Sequence, residues 1–172
     1  PILPTVSLYG TTKFLGEVLL SHYRDLYGIP FAALRYWGVY GPGEVHSPGI
    51  AEVIKRVEST IHGKDVVVEE VGADDRRHFL YVKDAARATV LALSAGTTAH
   101  SVFNIAGGPD HYVTFGEFHR TIKGLYPAAG EAVFRGKGQD RGMVDISRAQ
   151  SELGYHPGFS LEEGIKEDIA FL

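Results

Sequence analysis

Tyr9 and Lys13 stand four residues apart in the stretch SLYGTTK, at the opening of an amphipathic segment. On a helix, positions i and i+4 share a face, so the phenol and the ammonium project together. A free phenol titrates at about 10 and is a weak base at neutral pH. A neighbouring ammonium favours the phenolate and pulls that value down. Such a pair can exchange a proton with a substrate hydroxyl, and the lysine can also hydrogen-bond a ribose. The same spacing is common on exposed helices, where the tyrosine packs and the lysine is solvated. The elements around the pair have to decide between these readings.

The apolar positions Phe14, Leu15, Val18, Leu19, Tyr23 and Leu26 predict a helix from Ser7 to Tyr27, with Ser7 as N-cap and Gly28 and Pro30 as its stop. FAALRYW, residues 31–37, reads as a buried strand running into the glycine- and proline-rich GVYGPGE. Further helices are predicted over 49–64, over 83–96 with Gly96 as stop, and in VTFGEFHRTIKGLYP with Thr114 as cap. Two more lie in ISRAQSELGY and SLEEGIKEDIAFL, the last opened by a Ser160–Glu163 capping box. DVVVEEV, HFLYV, SVFNIAGG and EAVFR read as strands. Alternating strands and helices define an α/β chain.

The 172 residues suffice for one domain with a core, at 44% hydrophobic and 22% charged. A net charge of −4 speaks against nucleic acid as the main partner. No apolar run could span a bilayer, and the first residues lack the features of a signal peptide. With no cysteine, disulfides and thiolate metal sites are excluded, and a reducing, cytoplasmic setting is expected. The eight histidines, His22, His46, His62, His78, His100, His111, His119 and His156, show no metal-ligand spacing and are expected at surface or loop positions.

Read in order, Y-G-T-T-K, LRYWGVYGPG, RRHFLYVKDAARA, FNIAGG, DISRAQSELGYHP and SLEEG cover essentially the whole chain. Together they resemble the extended short-chain dehydrogenase/reductases, and within them the NAD-dependent epimerase/dehydratase family that includes UDP-glucose 4-epimerase. The resemblance implies the end of a Rossmann-type domain over 1–45, with the Tyr-x-x-x-Lys helix, and a small mixed α/β substrate lobe over 46–172 from which 101–108 returns as a strand. It implies Tyr9 as catalytic acid/base and Lys13 as the residue that binds the nicotinamide ribose of NAD and lowers the tyrosine pKa. Tyr36 then lies beside the nicotinamide, and Arg77 and Arg135 hold the diphosphate of a nucleotide-sugar. Paired arginine forks suit that charge. Asp84 and Asp145 match recurrent positions and are expected to be structural, as cap and loop acceptors. The activity implied is transient hydride transfer between NAD and a sugar carbon, leading to epimerisation, dehydration, decarboxylation or reduction.

Four departures from the family pattern stand out. A glycine-rich phosphate loop, the acidic residue that reads the adenosine ribose, and the serine or threonine partner of the tyrosine are absent from this sequence. The chain therefore reads as a C-terminal half. Gly38 stands where the family places a substrate-contacting asparagine, His78 where it places an aspartate, and RGKG follows where R-P-G-D is usual. A non-catalytic module that binds a partner or nucleotide is the alternative. A half-sheet with an open apolar edge is expected to self-associate, as a homodimer or by strand exchange. The resemblance also implies pairing of intact members through a four-helix bundle that includes the Tyr9 helix, and Leu15, Leu19 and Leu26 fit either that interface or an internal core.

Overall fold

The computed structural model describes residues 7–43, 50–96 and 98–171; His46, in the loop after GPG, lies outside them. Helix α1 (Leu8–Tyr27) starts where Ser7 accepts the Gly10 N–H and ends at Gly28 in the left-handed region. Strand β1 (Ala33–Tyr36) and the two-residue strand β2 (Val39–Tyr40) follow, separated by a turn at Gly38. Helix α2 (Ile50–Glu58) tightens into a 3₁₀ turn over Ser59–His62, and β3 (Val66–Val68), β4 (Arg76–His78) and β5 (Leu80–Tyr81) come next. Helix α3 (Val82–Ser94), β6 (Val102–Ile105), β7 (Tyr112–Thr114) and α4 (Phe115–Leu125) lead to β8 (Ala132–Phe134), α5 (Ser147–Leu153) and α6 (Leu161–Ile169).

The strands form four short pairs. β1–β6, β2–β5 and β3–β8 are parallel, and β4–β7 is antiparallel. Ser160 closes the predicted capping box with Glu163, and Thr114, predicted only as a cap, closes one with Glu117 as well. Helix α3 ends at Ser94 with Ala95 as its cap, two residues short of the predicted stop at Gly96. Strand β1 is half-exposed rather than buried: among the described residues only β6 pairs with it, so Arg35 and Tyr36 stay open to solvent.

Two hydrophobic clusters hold these elements. The larger gathers Tyr40, Val53, Ile54, Phe79, Tyr81, Phe115, Phe118, Ile122 and Ile165 from α2, α4 and α6 and the strands between them. The smaller gathers Leu80, Ala88, Phe103, Ile105, Ala149, Leu153 and Tyr155 around β6, α3 and α5. Phe79 and Leu80, adjacent in sequence, serve different clusters, as alternation along extended backbone requires. Residues 78–80 are thus the seam of the molecule. The acidic residue Asp84, fully buried in the first turn of α3, accepts the Gly158 N–H at 2.8 Å and that of Phe159 at 3.3 Å, fixing the approach to α6. Asp145 accepts the Ser147 N–H at 2.8 Å at the start of α5. Both act as structural acceptors.

Candidate active site

Helix α1 carries the candidate pair. Tyr9 and Lys13 are both exposed, and the Lys13 ammonium lies 5.3 Å from the centre of the Tyr9 ring. The i, i+4 geometry therefore brings cation and ring together as the spacing requires. The helix is tied to β1 by a fork: Arg35 donates to both Glu17 oxygens, at 2.7 and 2.6 Å. Hydrogen bonding to Glu17 holds the Arg35 guanidinium above its ordinary value. Arg35 is thus occupied in positioning α1.

Tyr36 is the last residue of β1, at the carboxyl end of a parallel strand, where open α/β sheets place their ligands. Its hydroxyl lies 2.6 Å from Thr89 Oγ1 on α3, and neighbouring Trp37 is more than a third exposed. The sequence holds no glycine-rich loop for the pyrophosphate.

Gly38 turns the chain at φ +49, and a Cβ there would sit 2.9 Å from the His78 carbonyl. Its own carbonyl accepts the Leu80 N–H at 3.0 Å. The position offers a ligand backbone only, where an asparagine would offer an amide side chain.

The two arginines stand at either end of one connection. Arg135 extends the β3–β8 pairing, donating its N–H to Val68, and the chain then runs to the edge of β4, where Arg76 donates to Gln139 and accepts from Arg141. Arg77, next to that contact, is held by a fork onto buried Asp75, at 2.5 and 3.1 Å. That leaves one side of its guanidinium for another acceptor. Arg135 meets Glu69 at 3.1 Å with both side chains about 60% exposed, a pair that an incoming anion can displace cheaply.

Three histidines depart from the surface expectation: His78, His111 and His119 are buried. Each has at least one ring nitrogen within hydrogen-bond distance of another protein group, which is why the fold tolerates it. His119 Nε2 lies 3.1 Å from the Gly130 carbonyl, and His111 lies between Asp110 at 3.2 Å and the Tyr40 hydroxyl at 3.4 Å. Burial alone would raise the Asp110 carboxyl, but the Leu161 N–H and His111 outweigh it and hold it below the ordinary value. Burial pushes the Tyr40 phenol well above its usual value, reinforced by Glu58 and Tyr81, so it stays neutral. Among the described residues no cluster of three or more metal-ligating groups occurs, and no helix is long and apolar enough to cross a membrane.

The structure also holds a buried acid cluster that the sequence pattern does not mark. Lys55 on α2 reaches Asp168 on α6 at 2.9 and 3.0 Å and lies 3.2 Å from Glu58. The lysine aims at Asp168, and neither Glu58 oxygen has an aligned hydrogen bond. Burial first, then Asp168, against the pull of Lys55, drives the Glu58 carboxyl up to about 9. Nothing in the local sequence marks Glu58, because its environment comes from a helix more than a hundred residues away.

The architecture is that of the Rossmann-type nucleotide-sugar epimerases. The UDP-glucose 4-epimerase of Thermotoga maritima, solved with UDP-glucose, superposes with a TM-score of 0.82 at 29% identity, over 99% of this chain and 57% of that one. The UDP-glucuronic acid 4-epimerase of Bacillus cereus, solved with UDP-glucuronic acid and NAD, gives 0.80 at 26% identity, over 99% and 54%. In sequence, a candidate UDP-glucose 4-epimerase of Methanocaldococcus jannaschii is 34% identical over all of this chain and 55% of its own length. Residues 1–106 match the NAD-dependent epimerase/dehydratase family, and the chain belongs to that family of enzymes. It spans about half the length of the curated relatives it matches.

Proposed function

We propose that this chain is the part of an NAD-dependent nucleotide-sugar epimerase or dehydratase that supplies the catalytic tyrosine and the sugar-nucleotide lobe. The observation that carries the reading is the exposed Tyr9–Lys13 pair on a helix locked to β1, with Tyr36 at the carboxyl end of that strand. NAD, held in a complete protein that also has a phosphate-binding half, supplies the hydride acceptor. Tyr9 takes the proton from the sugar hydroxyl as the carbon is oxidised and returns it on reduction. Lys13, with its ammonium against the Tyr9 ring, holds the nicotinamide ribose, with Tyr36 against the nicotinamide. Arg77 and Arg135 take the diphosphate, and Gly38 meets the substrate through its backbone.

In a complete protein assayed with UDP-glucose, Tyr9→Phe should cut turnover by about 10²–10⁴-fold. Its thermal unfolding should match wild type, since Tyr9 is 72% exposed. Wild-type rates in Tyr9→Phe would remove the assignment.

A second reading concerns the chain by itself: it self-associates, most simply as a homodimer, through the apolar face of α1. None of the residues of α1 is buried, and Leu8, Leu15, Leu19 and Leu26 are all more than half exposed. A monomer by light scattering at high concentration would count against it. The cysteine-free sequence fits a reducing, cytoplasmic setting for either form.

A further inference from the structure

His78 sits at the seam between the two hydrophobic clusters, 5% exposed, and its ring bridges two other segments. The Val144 N–H points at Nδ1 from 3.1 Å, so that nitrogen must carry the lone pair. The proton is then on Nε2, which lies 3.0 Å from the Gly107 carbonyl and 3.2 Å from that of Gly108 and donates to both. The network fixes one neutral tautomer. A second proton on Nδ1 would set donor against donor at Val144.

We propose that His78 is a protonation-sensitive latch, which as a neutral imidazole joins β4, the Gly107–Gly108 turn and Val144, and which on gaining a proton releases Val144 and loosens the turn into α5. The chain upstream of Val144 is the connection that carries Arg135, and just downstream Asp145 opens α5. The charged or titratable groups facing the ring are His111 and Asp110 from the turn before β7 and the Tyr112 ring at 5.9 Å, itself covered by Arg76. Burial lowers the His78 pKa; the glycine carbonyls and Asp110 oppose this, His111 adds to it, and the value ends below the ordinary one. The folded state therefore binds its proton later than the unfolded chain. The latch contributes fully above about 6.5 and is lost as pH falls through the depressed value.

Any effect on a nucleotide-sugar rests on the reading of Arg135 given above; the latch does not, and its test uses no ligand. In the ¹⁵N-labelled chain, imidazole nitrogen shifts should report the Nε2–H tautomer at neutral pH. The Val144 amide protection factor should then fall by about tenfold or more as His78 takes up its proton. His78→Asn keeps an acceptor where Nδ1 stood and cannot titrate, so Val144 should stay protected across the same range. His78→Gln places its amide toward the glycine carbonyls and should leave Val144 unprotected at every pH. An Nδ1–H tautomer at neutral pH, or Val144 protection unchanged through the wild-type titration, would overturn the proposal.

Discussion

Helices α1 and α4 are both amphipathic and both opened by a side-chain cap, yet they end in opposite environments. Helix α4 buries Phe115, Phe118, His119 and Ile122 in the larger cluster. Helix α1, nearly twice as long, buries none of its residues and shows Leu8, Leu19 and Leu26 to solvent. An apolar stripe states that a face must be covered; it does not state by what. The region proposed to carry the chemistry is the one with the least internal support, held to β1 by Arg35 and Glu17 rather than by a core.

The strongest way to break this comparison is paired truncation. Phe118→Ala, which empties a site among Tyr40 and Phe79, should cost about 3–5 kcal/mol in urea unfolding. Leu19→Ala should stay within about 0.5 kcal/mol. A comparable loss at Leu19 would show that α1 is covered in solution. Gly38→Ala comes next, at about 1–3 kcal/mol by thermal unfolding, because it combines a positive φ with a close approach to the His78 carbonyl.

Glu58 sharpens the contrast through pH. Its folded value of about 9 exceeds the ordinary carboxylate value, so the folded state keeps a proton that the unfolded chain has released. That contribution is full below the ordinary value and is lost progressively as pH rises to about 9. Glu58→Gln should flatten the decline in melting temperature between pH 6 and 9. At pH 8 it should gain on the order of 1 kcal/mol over wild type. A steeper decline in the variant would refute the protonated assignment. The smallest effect is expected at Lys166→Ala, which loses an exposed pair with Glu162 at 2.7 Å and should leave the melting temperature that of wild type.

Much of the element order was legible because its signals are local. Ser7, Thr114 and Ser160 cap the helices they were expected to cap, and the hydroxyl-to-amide bond needs only the next few residues. Strands β2 and β7 leave no pattern in the sequence. Val39–Tyr40 lies inside a glycine-rich turn and Tyr112–Thr114 merges into the cap of α4, so neither is long enough to show an alternating pattern. The resemblance points to Arg77, but the sequence carries no sign of its fork onto Asp75, because a side chain's free valences depend on its neighbours in space.

The sequence by itself determined where helices begin, that the chain is α/β, and that Tyr9 and Lys13 share a face, since each follows from the periodicity of one element. Only the tertiary structure decided that β1 is half-open, that three histidines are buried, that burial raises the Glu58 carboxyl and that the His78 ring meets Val144 on one side and two glycine carbonyls on the other. Burial and hydrogen bonding to groups distant in sequence set those properties, and a linear pattern carries no record of which distant groups will meet.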